Sequence, residues 1–200
     1  MAWMKRLETT VEITAAKMNA VVISKTVDCN LVIKPNFTVS GTVTYYNGNA
    51  SLEGVKVKLS NGMVTYTDAE GNYTFTGVTT NRVTVIPTHS GNVNNAISAQ
   101  DAAELLIAIT DETHSLTDRQ FTAADVDGDG ELTSLDAVYI LRKAVGMIEG
   151  PYNGTGAEWA FDAPARVLNL TDNVSDVNFS GILLGDVTGN WTAEAEGGLS

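Results

Sequence analysis

The sequence is short of cysteine, histidine and positive charge, and each shortage excludes something. Cys29 is the only cysteine among 200 residues, so no disulfide can form within the chain. In its β-like surroundings that residue reads as a small buried hydrophobe. The two histidines, His89 and His114, stand apart from any serine, cysteine or acid in triad-like phrasing. Neither a phosphate-binding glycine loop nor an HExxH pair is present, so no catalysis is expected from this chain. Lys and Arg number 12 against 24 Asp and Glu, a formal net charge of −12. That balance argues against nucleic acid and against anionic membrane surfaces. No apolar run approaches the roughly 20 residues of a spanning helix, so no membrane insertion is expected. The opening Met1-Ala-Trp-Met-Lys-Arg6 is followed by no apolar run of the signal-peptide kind.

What the chain does have is a dense acidic stretch, Asp125-Val-Asp-Gly-Asp-Gly-Glu-Leu-Thr-Ser-Leu-Asp136. Carboxylates fall at loop positions 1, 3, 5 and 12, as Asp125, Asp127, Asp129 and Asp136. Gly130 takes position 6, where a sharp turn needs positive φ, and Leu132 at position 8 can pin the loop to a core. This is the ligand order of a twelve-residue calcium loop, with the Glu131 carbonyl at position 7 and Thr133 near position 9. Carboxylates so close together repel unless a cation neutralises them, and hard oxygen donors favour Ca2+ over zinc or copper. Thr133-Ser-Leu-Asp136 then reads as a capping box, and Ala137, Ile140, Leu141, Ala144 and Val145 recur at helical spacing up to Gly146.

A weaker copy begins at Ser90. Asn92, Asn94, Ala96 and Asp101 take the ligand positions, with Asn95 at the turn and Ile97 at the apolar position. Asn95 is tolerable there because asparagine visits the left-handed region readily. Ser98 to Asp101 repeats the cap, and Ala102, Leu105, Leu106 and Ile109 repeat the helical stripe. With Asp101 as its one carboxylate, this loop should bind calcium more weakly than its partner. Between the copies, Thr117-Asp-Arg-Gln120 caps a short helix.

A duplicated calcium loop-helix with Asp at position 12 resembles a dockerin, the module that plugs into cohesins in extracellular assemblies. The resemblance spans roughly Ser90 to Gly146. It implies calcium-dependent docking to a cohesin-type domain at the extracellular face or cell surface. The matching contact positions are Ala99, Gln100, Leu106 and Ile107 after the first loop, and Ser134, Leu135, Leu141 and Arg142 after the second. These two sets differ chemically, which disfavours a symmetric two-way binding mode. Folding of this half is expected to depend on calcium.

The rest of the chain reads as β. Short alternating runs over residues 7 to 37, closed by Lys34-Pro-Asn-Phe37, resemble the last strands of an internalin-type β repeat. Thr42–Tyr46, Val55–Leu59, Met63–Tyr66, Tyr73–Phe75 and Arg82–Ile86 alternate apolar and polar between turn residues. The phrase Thr67-Asp-Ala-Glu-Gly-Asn-Tyr-Thr-Phe75 resembles a carboxypeptidase-regulatory-like, or collagen-adhesin B-type, domain, which implies a stalk or spacer. After Gly146, Trp159–Phe161, Val167–Leu170 and Val177–Leu184 read as short strands. Asp186-Val-Thr-Gly-Asn190 imitates the start of a calcium loop, but Trp191 replaces the glycine and no position 12 follows, so it reads as an apolar clasp.

The expected fold class is multidomain α+β: an all-β sandwich, then a small calcium-binding helical domain, then a β-rich C-terminal extension. The expected boundaries are 1–38 for the end of a β repeat or linker, 39–88 for the sandwich and 89–148 for the helical domain. The extension then occupies 149–192 and a tail 193–200. The chain is expected to be a piece of a longer secreted protein, meeting polysaccharide only through upstream domains. The alternative is a calcium-stabilised stalk with no cohesin partner. A sugar platform built from Trp3, Trp159 and Trp191 is a third reading, set below packing roles for the same residues.

Overall fold

Strand alternation and helix capping both appear where the pattern of residues places them. The computed structural model describes residues 36–193. The β-repeat reading of residues 1–35, with Trp3 and Cys29, and the tail from 194 lie outside the described residues. Five strands come first: β1 (Phe37–Tyr45), β2 (Lys56–Leu59), β3 (Val64–Tyr66), β4 (Asn72–Val78) and β5 (Arg82–Thr88). Helices α1 (Ala99–Thr110), α2 (Asp118–Ala124) and α3 (Ser134–Ala144) follow, then β6 (Trp159–Phe161), β7 (Arg166–Asn169) and β8 (Phe179–Leu183).

The strands form two four-stranded sheets, ordered β4-β1-β8-β6 and β3-β2-β5-β7. β8 lies parallel to β1, with Val43 opposite Phe179 and Tyr45 opposite Gly181, while β7 pairs antiparallel with β5. The strands expected in a separate extension therefore complete both sheets begun by residues 37–88. The three helices sit in the connection between β5 and β6. A boundary at 38/39 falls inside β1, and one at 148/149 separates strands that share hydrogen-bonded ladders. The physical reason is edge pairing. β1 and β5 each offer an open edge after the first five strands have formed, and β8 and β7 satisfy those backbone groups.

Pro87 lies in β5, opposite Val57. The β7 ladder covers only Arg82 to Val85, so Pro87 sits where that edge of β5 is open. One buried cluster runs through sheets and helices alike, containing Val43, Leu59, Val85, Leu105, Ile140 and Trp159. Complete burial of a side chain such as Leu105 or Ile140 stabilises the fold by about 1.5–3 kcal/mol relative to exposure.

Candidate metal centre and its neighbours

Each helix starts at a hydroxyl residue followed three positions later by a side chain that folds back. Ser98 pairs with Asp101, Thr117 with Gln120 and Thr133 with Asp136, all as reciprocal capping boxes. In both repeats the position-12 aspartate is thus also the third residue of the helix. Its charge lies at the positive end of the helix dipole. α3 ends with Gly146 at φ +73°, and the Met147 amide returns to the Arg142 carbonyl.

The second loop curls around its own carboxylates. Asp125 Oδ1 accepts from the Gly128 amide at 2.8 Å and Oδ2 from the Gly130 amide at 3.1 Å. Gly130 holds φ +85°, the conformation that its place in the loop requires. Asp129 Oδ1 accepts from the Glu131 amide at 2.8 Å. Asp136 is fully buried. Its Oδ1 faces the amides of Val126 and Asp127 at 3.2 and 3.4 Å, and its Oδ2 takes the Thr133 amide and hydroxyl.

These turns gather Asp125, Asp127 and Asp136, each offering an oxygen within 4.8 Å of the other two. Partial loss of water pushes the Asp127 carboxyl above the usual aspartate value. The Asp129 amide opposes that rise, and the charges of Asp136, Asp129 and Asp125 add to it. A divalent cation bound among the three would relieve that repulsion, and an all-oxygen donor set suits Ca2+. Asp129, Glu131 and Gly130 are exposed at the loop tip and Thr133 is half-buried, so the tip faces solvent. From behind, the loop is braced by the chain after α3: a β-carbon on Gly154 would overlap the Asp127 carbonyl, and one on Gly128 would come within 3.3 Å of the Thr155 methyl.

The first loop is arranged differently. Asn92, Asn94 and Asn95 all hold positive φ, at 55°, 47° and 55°. The Asn92 carbonyl accepts from the Trp191 indole at 2.7 Å, and the Asn94 side-chain Nδ2 donates to the Thr192 carbonyl at 3.0 Å. Ala96 is buried. Asp101 is fully buried, with Oδ2 on the Ser98 cap and Oδ1 on the amide and hydroxyl of Thr188. Among the described residues, the acidic group of three that can share a cation lies in the second loop.

Sequence reasoning missed the residues behind this arrangement. Asp186 is fully buried and accepts from the Tyr45 hydroxyl at 2.6 Å and from the amides of Gly189, Asn190 and Trp191. Burial pushes its carboxyl upward, with the Tyr45 hydrogen bond pulling the other way, and burial raises the Tyr45 phenol as well. The signal in the sequence was the Asp186 to Asn190 phrase; nothing local pointed to Tyr45. Trp159 and Trp191 are both buried and stack edge to face at 5.4 Å. Their indole nitrogens bond to the Gly91 and Asn92 carbonyls, so these two rings form packing rather than a sugar platform.

The eight contact positions expected after the two loops are all exposed: Ala99, Gln100, Leu106 and Ile107 on α1, and Ser134, Leu135, Leu141 and Arg142 on α3. Leu135 is 48% exposed and Ile107 46%. α1 and α3 pack against each other, with Leu105 and Ile140 buried and these faces outward.

Two loop-helix units, one with a clustered carboxylate site, define this segment as a duplicated calcium loop-helix module. Residues 91–144 match the family model described as Dockerin type I domain. Dockerins of this type bind Ca2+ and dock to cohesin domains, and they occur in extracellular or cell-surface proteins. No curated protein matches the chain. Among the described residues, no helix is long and apolar enough to cross a membrane.

Proposed function

We propose that this chain is a non-catalytic docking region in which calcium, held by the second loop, orders α3 for capture of a cohesin-type partner. The observation that carries the reading is the Asp125, Asp127 and Asp136 cluster at the start of a helix whose outward face carries Leu135 and Leu141. The ion would be held by these three aspartates, with Asp129, the Glu131 carbonyl and Thr133 as the further ligand positions. Asn92, Asn94, Ala96 and Asp101 take the corresponding positions of the first repeat, where the Asn92 carbonyl is bonded to Trp191 and Asp101 Oδ1 to Thr188. Neutralising the loop keeps Asp136 turned inward, where it caps α3 and orients the exposed face. Burial of Leu135 and Leu141 against a partner would supply the apolar part of the interface. The strands of residues 39–88, which carry the resemblance to a carboxypeptidase-regulatory-like domain, would act as part of the spacer that presents this face outside the cell. Contact with polysaccharide would come through upstream domains of a longer protein.

A double change, Leu135→Asp with Arg142→Glu, leaves every loop carboxylate in place, puts a new charge at 135 and reverses the one at 142. Capture by a cohesin panel should be lost, because unpaired charge in a desolvated interface is costly, while calcium titration stays unchanged. Retained capture would move the contact to α1 or another surface. The second reading, a calcium-stiffened stalk, is favoured by one observation: the helices lie in the connection between two strands of a shared core. Failure of the unaltered chain to capture any cohesin would select it.

A further inference from the structure

The second loop and the C-terminal segment use the same hydrogen bonds. Asp125 accepts from the amides three and five residues on, at Gly128 (2.8 Å) and Gly130 (3.1 Å). Asp186 accepts from the amides three and five residues on, at Gly189 (2.9 Å) and Trp191 (2.9 Å), one oxygen to each as before. Gly128 and Gly189 occupy the same place in these turns, with φ of +75° and +69°. Asp186 to Trp191 therefore has the form of the front half of a calcium-type loop.

The back half it lacks is supplied from elsewhere. In the second loop, Asp136 directs Oδ1 at the Asp127 amide, the third loop position, and Oδ2 at its own capping residue Thr133. Asp101 directs Oδ1 at the Thr188 amide, the third position counted from Asp186, at 2.9 Å, and Oδ2 at its own capping residue Ser98. The geometry points to a composite loop: Asp186–Trp191 is the front half, Ala96–Asp101 the back half, and residues 90–95 are displaced from the role their sequence suggests.

This composite is closed by hydroxyl donors where the second loop has facing carboxylates. Thr188, in the place of Asp127, donates its hydroxyl to Asp101 Oδ1 at 2.7 Å. Tyr45, from β1, donates to Asp186 Oδ2 at 2.6 Å. Counting amides and hydroxyls, each oxygen of Asp101 and of Asp186 accepts at least two hydrogen bonds, and both residues are fully buried. Asp136 accepts as many, but there the carboxylates of Asp125 and Asp127 face it, a group of three whose repulsion a cation relieves. Here the hydroxyls of Thr188 and Tyr45 stand beside a single pair of carboxylates, and an ion would have to displace them. The first repeat is thus held shut by the chain's own C-terminal segment, and calcium control is confined to the second. This does not depend on whether a cohesin is bound.

Two measurements on the full chain test it. Calorimetric calcium titration should give about one equivalent per chain, abolished by Asp136→Ala and unchanged by Thr188→Val. A second equivalent that disappears in Asp101→Asn or Thr188→Val would overturn the inference. Amide hydrogen exchange of the calcium-loaded chain should show the Thr188, Trp191 and early α1 amides exchanging about tenfold faster in Thr188→Val, and near the original rate in Thr188→Ser. Unaltered exchange in Thr188→Val would show that the hydroxyl does not close the joint. Should the valine variant fail to fold, the stoichiometry of the unaltered chain and of Thr188→Ser still decides: two equivalents refute the composite clasp, one supports it.

Discussion

The Tyr45 hydroxyl donates to the Asp186 carboxylate at 2.6 Å across 141 positions of sequence, with both residues fully buried. It ties β1, the first described strand, to the segment that follows β8. The neighbouring Tyr46 hydroxyl reaches the Asp186 carbonyl at 3.0 Å, and Asn47 reaches that of Gly189 at 3.0 Å. Tyr45→Phe should therefore cost about 1–3 kcal/mol, since a buried carboxylate oxygen loses a donor without gaining water. Urea unfolding with calcium present in excess measures that loss.

Calcium removal should act on the whole described fold. Leu105 and Ile140 share one buried cluster with strand residues such as Val43 and Val85, so the helices are not a separable unit. At free calcium a hundredfold above its dissociation constant, binding adds about 2.7 kcal/mol. Thermal unfolding with chelator should show one transition moved to lower temperature, instead of one lost and one retained. Two resolved transitions would contradict the shared core.

Asp136→Ala removes a carboxylate of the cluster and the reciprocal half of the α3 capping box. Calcium binding at the second loop should be abolished, and loss of the cap should cost about 0.5–2 kcal/mol even with chelator present. Calorimetry and chelator-matched unfolding separate the two effects.

Two glycine substitutions should weaken calcium for different reasons. Gly154→Ala places a methyl against the Asp127 carbonyl and pushes the loop from behind. Affinity should fall about tenfold, equivalent to about 1.4 kcal/mol. Gly130→Ala meets no neighbouring atom but must hold φ +85°, a strain of about 1–2 kcal/mol within the loop. Calcium titration of both variants, with the structure of Gly154→Ala showing the displaced loop, checks this.

His89 should make stability fall on mild acidification. Its ring lies 5.1 Å from the Trp159 ring, its Nε2 has no partner, and burial lowers its pKa from 6.5 against the pull of Gly54 and the charge of Glu158. Because the folded pKa is depressed, the unfolded chain binds the proton first. The contribution is present above pH 6.5 and is lost as pH falls through the folded value. Asp186, raised by burial, works in the opposite sense, so a difference experiment is needed. Between about pH 7.5 and 5, His89→Phe should remove the His89 share of the acid loss seen in unfolding at saturating calcium.

Much of the local structure was legible in the residues. Thr133 to Asp136 and Ser98 to Asp101 cap helices because a hydroxyl and a carboxylate three residues apart satisfy orphan amides wherever they occur. Alternation at Val55–Leu59 and Arg82–Ile86 placed β2 and β5 for an equally local reason. The Asp125, Asp127 and Asp136 cluster was legible too, because a calcium loop carries its ligands within one turn of chain. The first repeat misled for the opposite reason. Asp101 Oδ2 meets its neighbouring cap residue Ser98 as the spacing implies, while the donor to Oδ1, Thr188, lies 87 positions away.

By itself, then, the amino-acid order determined where helices begin, which strands alternate and where a cation can sit, since these depend on contacts a few residues apart. Only the tertiary structure decided that β7 and β8 complete the two sheets, that the helices share the strands' core, and that Asp186 and Asp101 are brought to the same Thr188 hydroxyl. Those outcomes rest on open strand edges and buried carboxylates finding donors across the whole chain. Local spacing carries no record of which distant donor is nearest once the core has closed.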